Sequence, residues 1–136
     1  MTNEITLSDQ AKTTIRIAAY GAVTLLSAAS AVGGSPHKVS TRGSIALGSA
    51  TGAVGHVLAD HPKHKDLNGK SVAEIADRVL PALTEAMVQL KAESPEEADN
   101  FRGTVAIAIE AATAGSKPNP VIADMIRKIT NALDAA

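Results

Sequence analysis

The chain has 136 residues, 45% of them apolar and 20% charged, the balance of one globular domain rather than of a disordered polymer. Its formal net charge is −1 with acids and bases interspersed, so the basic patch that phosphate recognition draws on is missing and no nucleic-acid partner is expected. The absence of cysteine excludes disulfides, thiolate nucleophiles and Cys-type metal sites, and Tyr20 and Phe101, the only aromatic residues, leave almost no surface for stacking bases or sugars.

Residues 1–7 read as a flexible arm. Ser8 or Asp9 can then cap a first helix by accepting a backbone N–H from its first turn. Ala11, Ile15, Ala18, Ala22, Leu25 and Ala29 follow at three- and four-residue steps and form one apolar face. The opposite stripe, Thr13, Arg16, Tyr20, Thr24 and Ser27, is only weakly polar. A helix with so little polar surface belongs at the centre of a bundle or in an oligomer contact. Gly33, Gly34, Ser35 and Pro36 are expected to end it. Residues 17–32 have the outline of a signal segment, but Glu4 and Asp9 fall where a positive flank would lie, and the run is shorter than the ~20 residues of a membrane span. A buried helix and a cytoplasmic location are therefore expected, with secretion left open.

A second helix is predicted from Ser40 or Thr41 to about Ala59. Gly48, Gly52 and Gly55 share one of its faces, and each interior glycine costs a helix about 1 kcal/mol relative to alanine. The expected compensation is a neighbouring helix that approaches too closely for a Cβ, which makes these glycines, with Tyr20, candidate packing or interface residues. An irregular first half of this segment is the alternative. The stretch Gly48-Ser49-Ala50-Thr51-Gly52 has the outline of a phosphate loop but lacks the lysine that should follow it and a strand before it.

A polar connection, DHPKHKDLNG, spans 60–69. Ser71, with Glu74 three residues on, forms a capping box and opens a third helix whose buried face is Val72, Ile75, Val79, Leu83, Ala86 and Leu90. Pro81 lies inside it and predicts a kink or two shorter helices. Ser94, Pro95 and Glu97 start the fourth helix with a second capping box, and Gly115 closes it. Asn119 and Pro120 open the last helix. Together these segments predict an all-α, single-domain bundle of about five helices, the third kinked at Pro81.

The sharpest chemical candidate is His56, Asp60, His61 and His64, followed by Asp66. Imidazole and carboxylate together suit a divalent metal ion. The spacing matches no established metal motif, Lys63 and Lys65 oppose a cation, and the same residues serve equally well as a solvated helix exit. Arg16 and Tyr20, one turn apart, could bind a carboxylate or simply form an amphipathic rim. Glu110, set among Ile107, Ile109, Ala111 and Ala112, reads as a boundary carboxylate rather than a general acid. No nucleophile elbow surrounds any serine. The balance is a non-enzymatic interaction module, self-associating as a homo-oligomer through its first two helices. The alternative is a small-ligand or metal-binding protein, enzymatic or not, with its site around His56–Asp66; a regulatory partner-binding domain ranks third. No particular cofactor is implied.

Overall fold

A computed structural model describes residues 6–31, 35–63, 67, 69, 71–115, 117 and 119–136. These form six helices: α1 (Asp9–Ala29), α2 (Pro36–Gly48), α3 (Gly52–Leu58), α4 (Val72–Glu93), α5 (Pro95–Thr113) and α6 (Pro120–Asp134). Among the described residues no helix is long and apolar enough to cross a membrane.

The helix starts follow the side-chain chemistry. Ser8 Oγ accepts from the Ala11 N–H at 3.0 Å, Ser71 Oγ from Glu74 at 3.2 Å, Ser94 Oγ from Glu97 at 3.3 Å and Asn119 Oδ1 from Val121 at 2.8 Å. Ser94 also closes α4, its own N–H donating to Leu90 O, so one residue joins two long helices. Gly115, at φ +77°, follows α5 in the left-handed conformation expected of a glycine C-cap.

α1 is the axis of the molecule. It touches every other helix, α4 most extensively, and no residue from Ala11 to Ser30 is exposed. Ile15, Leu25 and Leu26 are completely buried, each contributing about 1.5–3 kcal/mol by transfer from water. The weakly polar stripe of α1 thus faces the chain's own helices. A single core cluster draws side chains from all six, with Phe101 at its heart on α5.

Two sequence expectations are changed. Pro36 does not merely follow α1; it occupies the first turn of α2, where its missing N–H costs nothing. Gly33 and Gly34, expected to terminate α1, lie outside the described residues, as do residues 1–5 of the expected arm, whereas Leu7 packs on the core. α4 runs through Pro81 as one helix, in keeping with one of the two outcomes expected there; Pro81 and Asp77 are both exposed, so the carbonyl deprived of its donor can turn to water.

The largest change is that the predicted second helix is two. The chain breaks at Ser49–Thr51, and Gly52 resumes it at φ +74°, a conformation open to glycine and strained for other residues. The expected shared glycine face therefore does not exist. Gly48 is exposed, and a Cβ there would meet nothing within 4 Å. At Gly55 a Cβ would lie 2.2 Å from the Ala50 carbonyl oxygen, so the close neighbour is the preceding turn and not a helix. The close helix approaches occur at glycines the spacing did not single out. A Cβ on Gly21 of α1 would lie 2.4 Å from Val79 Cγ2 of α4, and one on Gly43 of α2 would lie 2.8 Å from Val23 Cγ1 of α1.

Candidate functional site

α3 has only seven residues, far fewer than an isolated helix needs to persist in water. Its N-cap residue, Thr51, supplies no side-chain cap, and both ends are held instead by other helices. At the N-terminus, Glu97 Oε1 of α5 accepts from the Val54 N–H at 3.0 Å, and Asn100 Nδ2 donates to Thr51 O at 2.8 Å. Glu97 thus places its carboxylate where the helix dipole favours negative charge. The same carboxylate takes the position that an anion would need at this helix start, which removes the remaining ground for a phosphate loop at 48–52.

The C-terminal end is held from α1. Arg16 Nε donates to Val57 O at 3.0 Å, and the Tyr20 hydroxyl donates to Leu58 O at 2.6 Å. Arg16 also reaches Asp60 Oδ2 at 3.4 Å, but that carboxylate is 80% exposed and the ion pair adds little in water. The pair read from sequence as a candidate carboxylate clamp is therefore committed to the chain's own carbonyls. Burial, with the Asp60 charge adding to it, pushes the Tyr20 phenol above its ordinary range.

Among the described residues the histidine cluster does not come together. α3 ends at Leu58, so Asp60 does not continue the turn on which His56 sits, and His56 is exposed. His61 lies over Tyr20 with ring centroids 4.6 Å apart and planes at 39°. His64 and Asp66 lie outside the described residues. Among the described residues no three His, Asp or Glu side chains converge in a way that could hold a metal ion. Glu110 is exposed on α5.

Above Tyr20 the exit from α3 doubles back and leaves a cleft of about 290 Å³. Tyr20, Val23 and Thr24 of α1 form one wall, Ser40 and Ser44 of α2 the second, and His61, Pro62, Lys63 and Leu67 the third. This is near the lower end of the ~300–1,000 Å³ typical of small-molecule sites. Thr24 Oγ1 is already occupied as a donor to Tyr20 O at 3.0 Å. The chain thus brings His61 and Tyr20 together, keeps His56 and Asp60 outside the cleft, and adds Ser40, Ser44 and Thr24. In the sequence Thr24 reads only as part of the weakly polar stripe of the first helix and Ser40 as a helix start, and Ser44 is not singled out.

Comparison with known protein families, with curated proteins and with solved structures finds no match.

Proposed function

We propose that this protein is a non-enzymatic binding module that takes a small molecule into the cleft between α1, α2 and the segment after α3. The carrying observation is the cleft itself, with buried Val23 and the Tyr20 ring below and unspent polar groups on its rim. A binding role fits its groups better than catalysis. Tyr20 has its hydroxyl committed to Leu58 O, while His61 and Lys63 are exposed.

A thermal-shift screen of small metabolites against the wild type and Ser44→Phe, which fills the cleft from α2, tests this reading. A true ligand at about 100 times its Kd adds about 2.7 kcal/mol to the folded state, a rise in Tm of roughly 8 °C for a chain of this size. The expected result is at least one compound that shifts the wild type and leaves a folded Ser44→Phe unmoved. If every compound treats the two proteins alike, the cleft is not a binding site.

Self-association is a second reading, on narrower grounds than the sequence offered. α1 offers no exposed residue between Ala11 and Ser30, so a second copy would have to meet α2, where Ile45 is 65% exposed. Light scattering at tens of micromolar tests it. A dimer that dissociates in Ile45→Glu supports the contact; a monomeric wild type ends it.

A further inference from the structure

We infer that the ligand of this cleft is a small organic anion, an apolar body of about one ring carrying a carboxylate or phosphoryl head, bound with Lys63 as its charge partner. This rests on the cleft being a binding site and goes on to say what it selects.

The first observation is the charge asymmetry of the walls. Among the described residues Lys63 and His61 line the cleft, and no carboxylate does. Asp60, which follows α3 just before His61, pairs with Arg16 at 3.4 Å. An ammonium group donates and never accepts, so a neutral ligand covering Lys63 would strip water from it without replacing the charge, whereas an anion replaces it.

The second is the supply of donors. Ser40 and Ser44 stand one turn apart on α2, and among the described residues neither hydroxyl is engaged in a hydrogen bond. Other hydroxyls on these helices are spent locally, Thr13, Thr14 and Thr24 donating to carbonyls one turn back. Ser27 is likewise occupied, donating to Pro36 O at 2.9 Å. Among the described residues, the groups left free to donate into the cleft are therefore the two serines, the Lys63 ammonium and an imidazole N–H of His61, a set that matches the several acceptor lone pairs of a carboxylate or phosphoryl group.

The third is size and floor. A volume of about 290 Å³ gives room for a single ring or a short branched chain. Val23 is 3% exposed at its base, and Leu67 is half-buried against the core. Such a floor favours an apolar body under the polar head.

The test is an amide-resolved NMR titration of the full chain with three probes of nearly equal shape, benzoate, phenyl phosphate and neutral benzamide, repeated on Lys63→Gln and Lys63→Arg. Lys63 is exposed, so neither substitution threatens the fold. The expected result is saturable movement of the Val23, Thr24, Ser40, Ser44 and Leu67 amides with at least one anionic probe. Benzamide and Lys63→Gln should each weaken binding about tenfold, the scale of one charge-assisted hydrogen bond in a partly open site, with Lys63→Arg close to wild type. Whichever anionic probe binds more tightly identifies the head group. Benzamide binding as tightly as the anions, or indifference to Lys63→Gln, overturns the anion assignment and leaves the cleft reading standing. Failure of all three probes to move the cleft amides overturns both.

Discussion

Gly21→Val is expected to lower the unfolding free energy by about 2–3 kcal/mol, the range of overpacking in a close-packed interior. A Cβ at this position would lie 2.4 Å from Val79 Cγ2, 3.0 Å from Cγ1 and 3.2 Å from Cβ. Rotating Val79 about χ1 moves its methyl groups but not its Cβ, so even in another rotamer the helices must give by a few tenths of an ångström. α1 and α4 form the most extensive helix pair, and separating them opens the core that Leu83, Leu90 and Leu25 close. Urea denaturation should therefore show a lower midpoint with an unchanged slope. Val79→Ala in the same chain should recover part of the loss, giving a coupling of about 1 kcal/mol or more between the two sites. Gly48→Ala is the matched control. It is exposed with open space beyond it, and the substitution should be neutral or stabilising by up to about 1 kcal/mol. Equal destabilisation at both positions would contradict this assignment of the close approach.

The contrast between these glycines marks where sequence reasoning reaches and where it stops. Helix starts at Ser8, Ser71, Ser94 and Asn119 are legible because a cap is a bond between near neighbours, and the apolar face of α1 from Ala11 to Ala29 is legible because period and burial coincide there. Gly48, Gly52 and Gly55 misled because face-sharing holds only on one unbroken helix, and a left-handed Gly52 ends the periodicity that put them together. Gly21 gave no periodic signal at all; its role depends on which valine of a helix some 50 residues away comes to face it. Glu97 shows the same limit from the other side. Its spacing from Ser94 predicts a local capping box, and Ser94 does cap the Glu97 N–H, yet the Glu97 carboxylate serves α3. The sequence singles out His61 and Tyr20, and both line the cleft. It could not show that Asp60 would be held by Arg16, nor that Ser40 and Ser44 would face the cleft, because each depends on α2 and α3 being separate helices.

Tyr20 is the residue through which the fold and the cleft depend on one another, and Tyr20→Phe should expose both. The substitution keeps the ring under His61 and removes only the hydroxyl that donates to Leu58 O. Leu58 is completely buried, so its carbonyl then lacks a partner, at a cost of about 1–3 kcal/mol. Because α3 is short and held from outside, the loss should concentrate there, with faster amide exchange over Gly52–Leu58 than in the neighbouring α5. The hydroxyl also carries a pH signature whose sign follows from linkage. Burial first, and the charge of Asp60 second, hold the phenol above 10.0 in the folded chain. The unfolded chain therefore loses this proton first as pH rises. The contribution of Tyr20 to stability is complete below pH ~10 and disappears as pH climbs through the higher folded value. Tyr20 is the only tyrosine and the chain has no tryptophan, so phenolate absorbance in the near ultraviolet reports this one group. Its midpoint should lie above that of free tyrosine and fall part of the way back in Asp60→Asn. Stability measured across the alkaline range should decline more steeply in the wild type than in Tyr20→Phe, which carries the same lysines and lacks the phenol. A midpoint at the free-tyrosine value, or parallel alkaline profiles, would mean that the hydroxyl is open to water and that α3 is not anchored through it. In that case the wall of the cleft formed by residues 61–63 would have lost its support from α1, and ligand binding there should be no weaker in Tyr20→Phe than in the wild type.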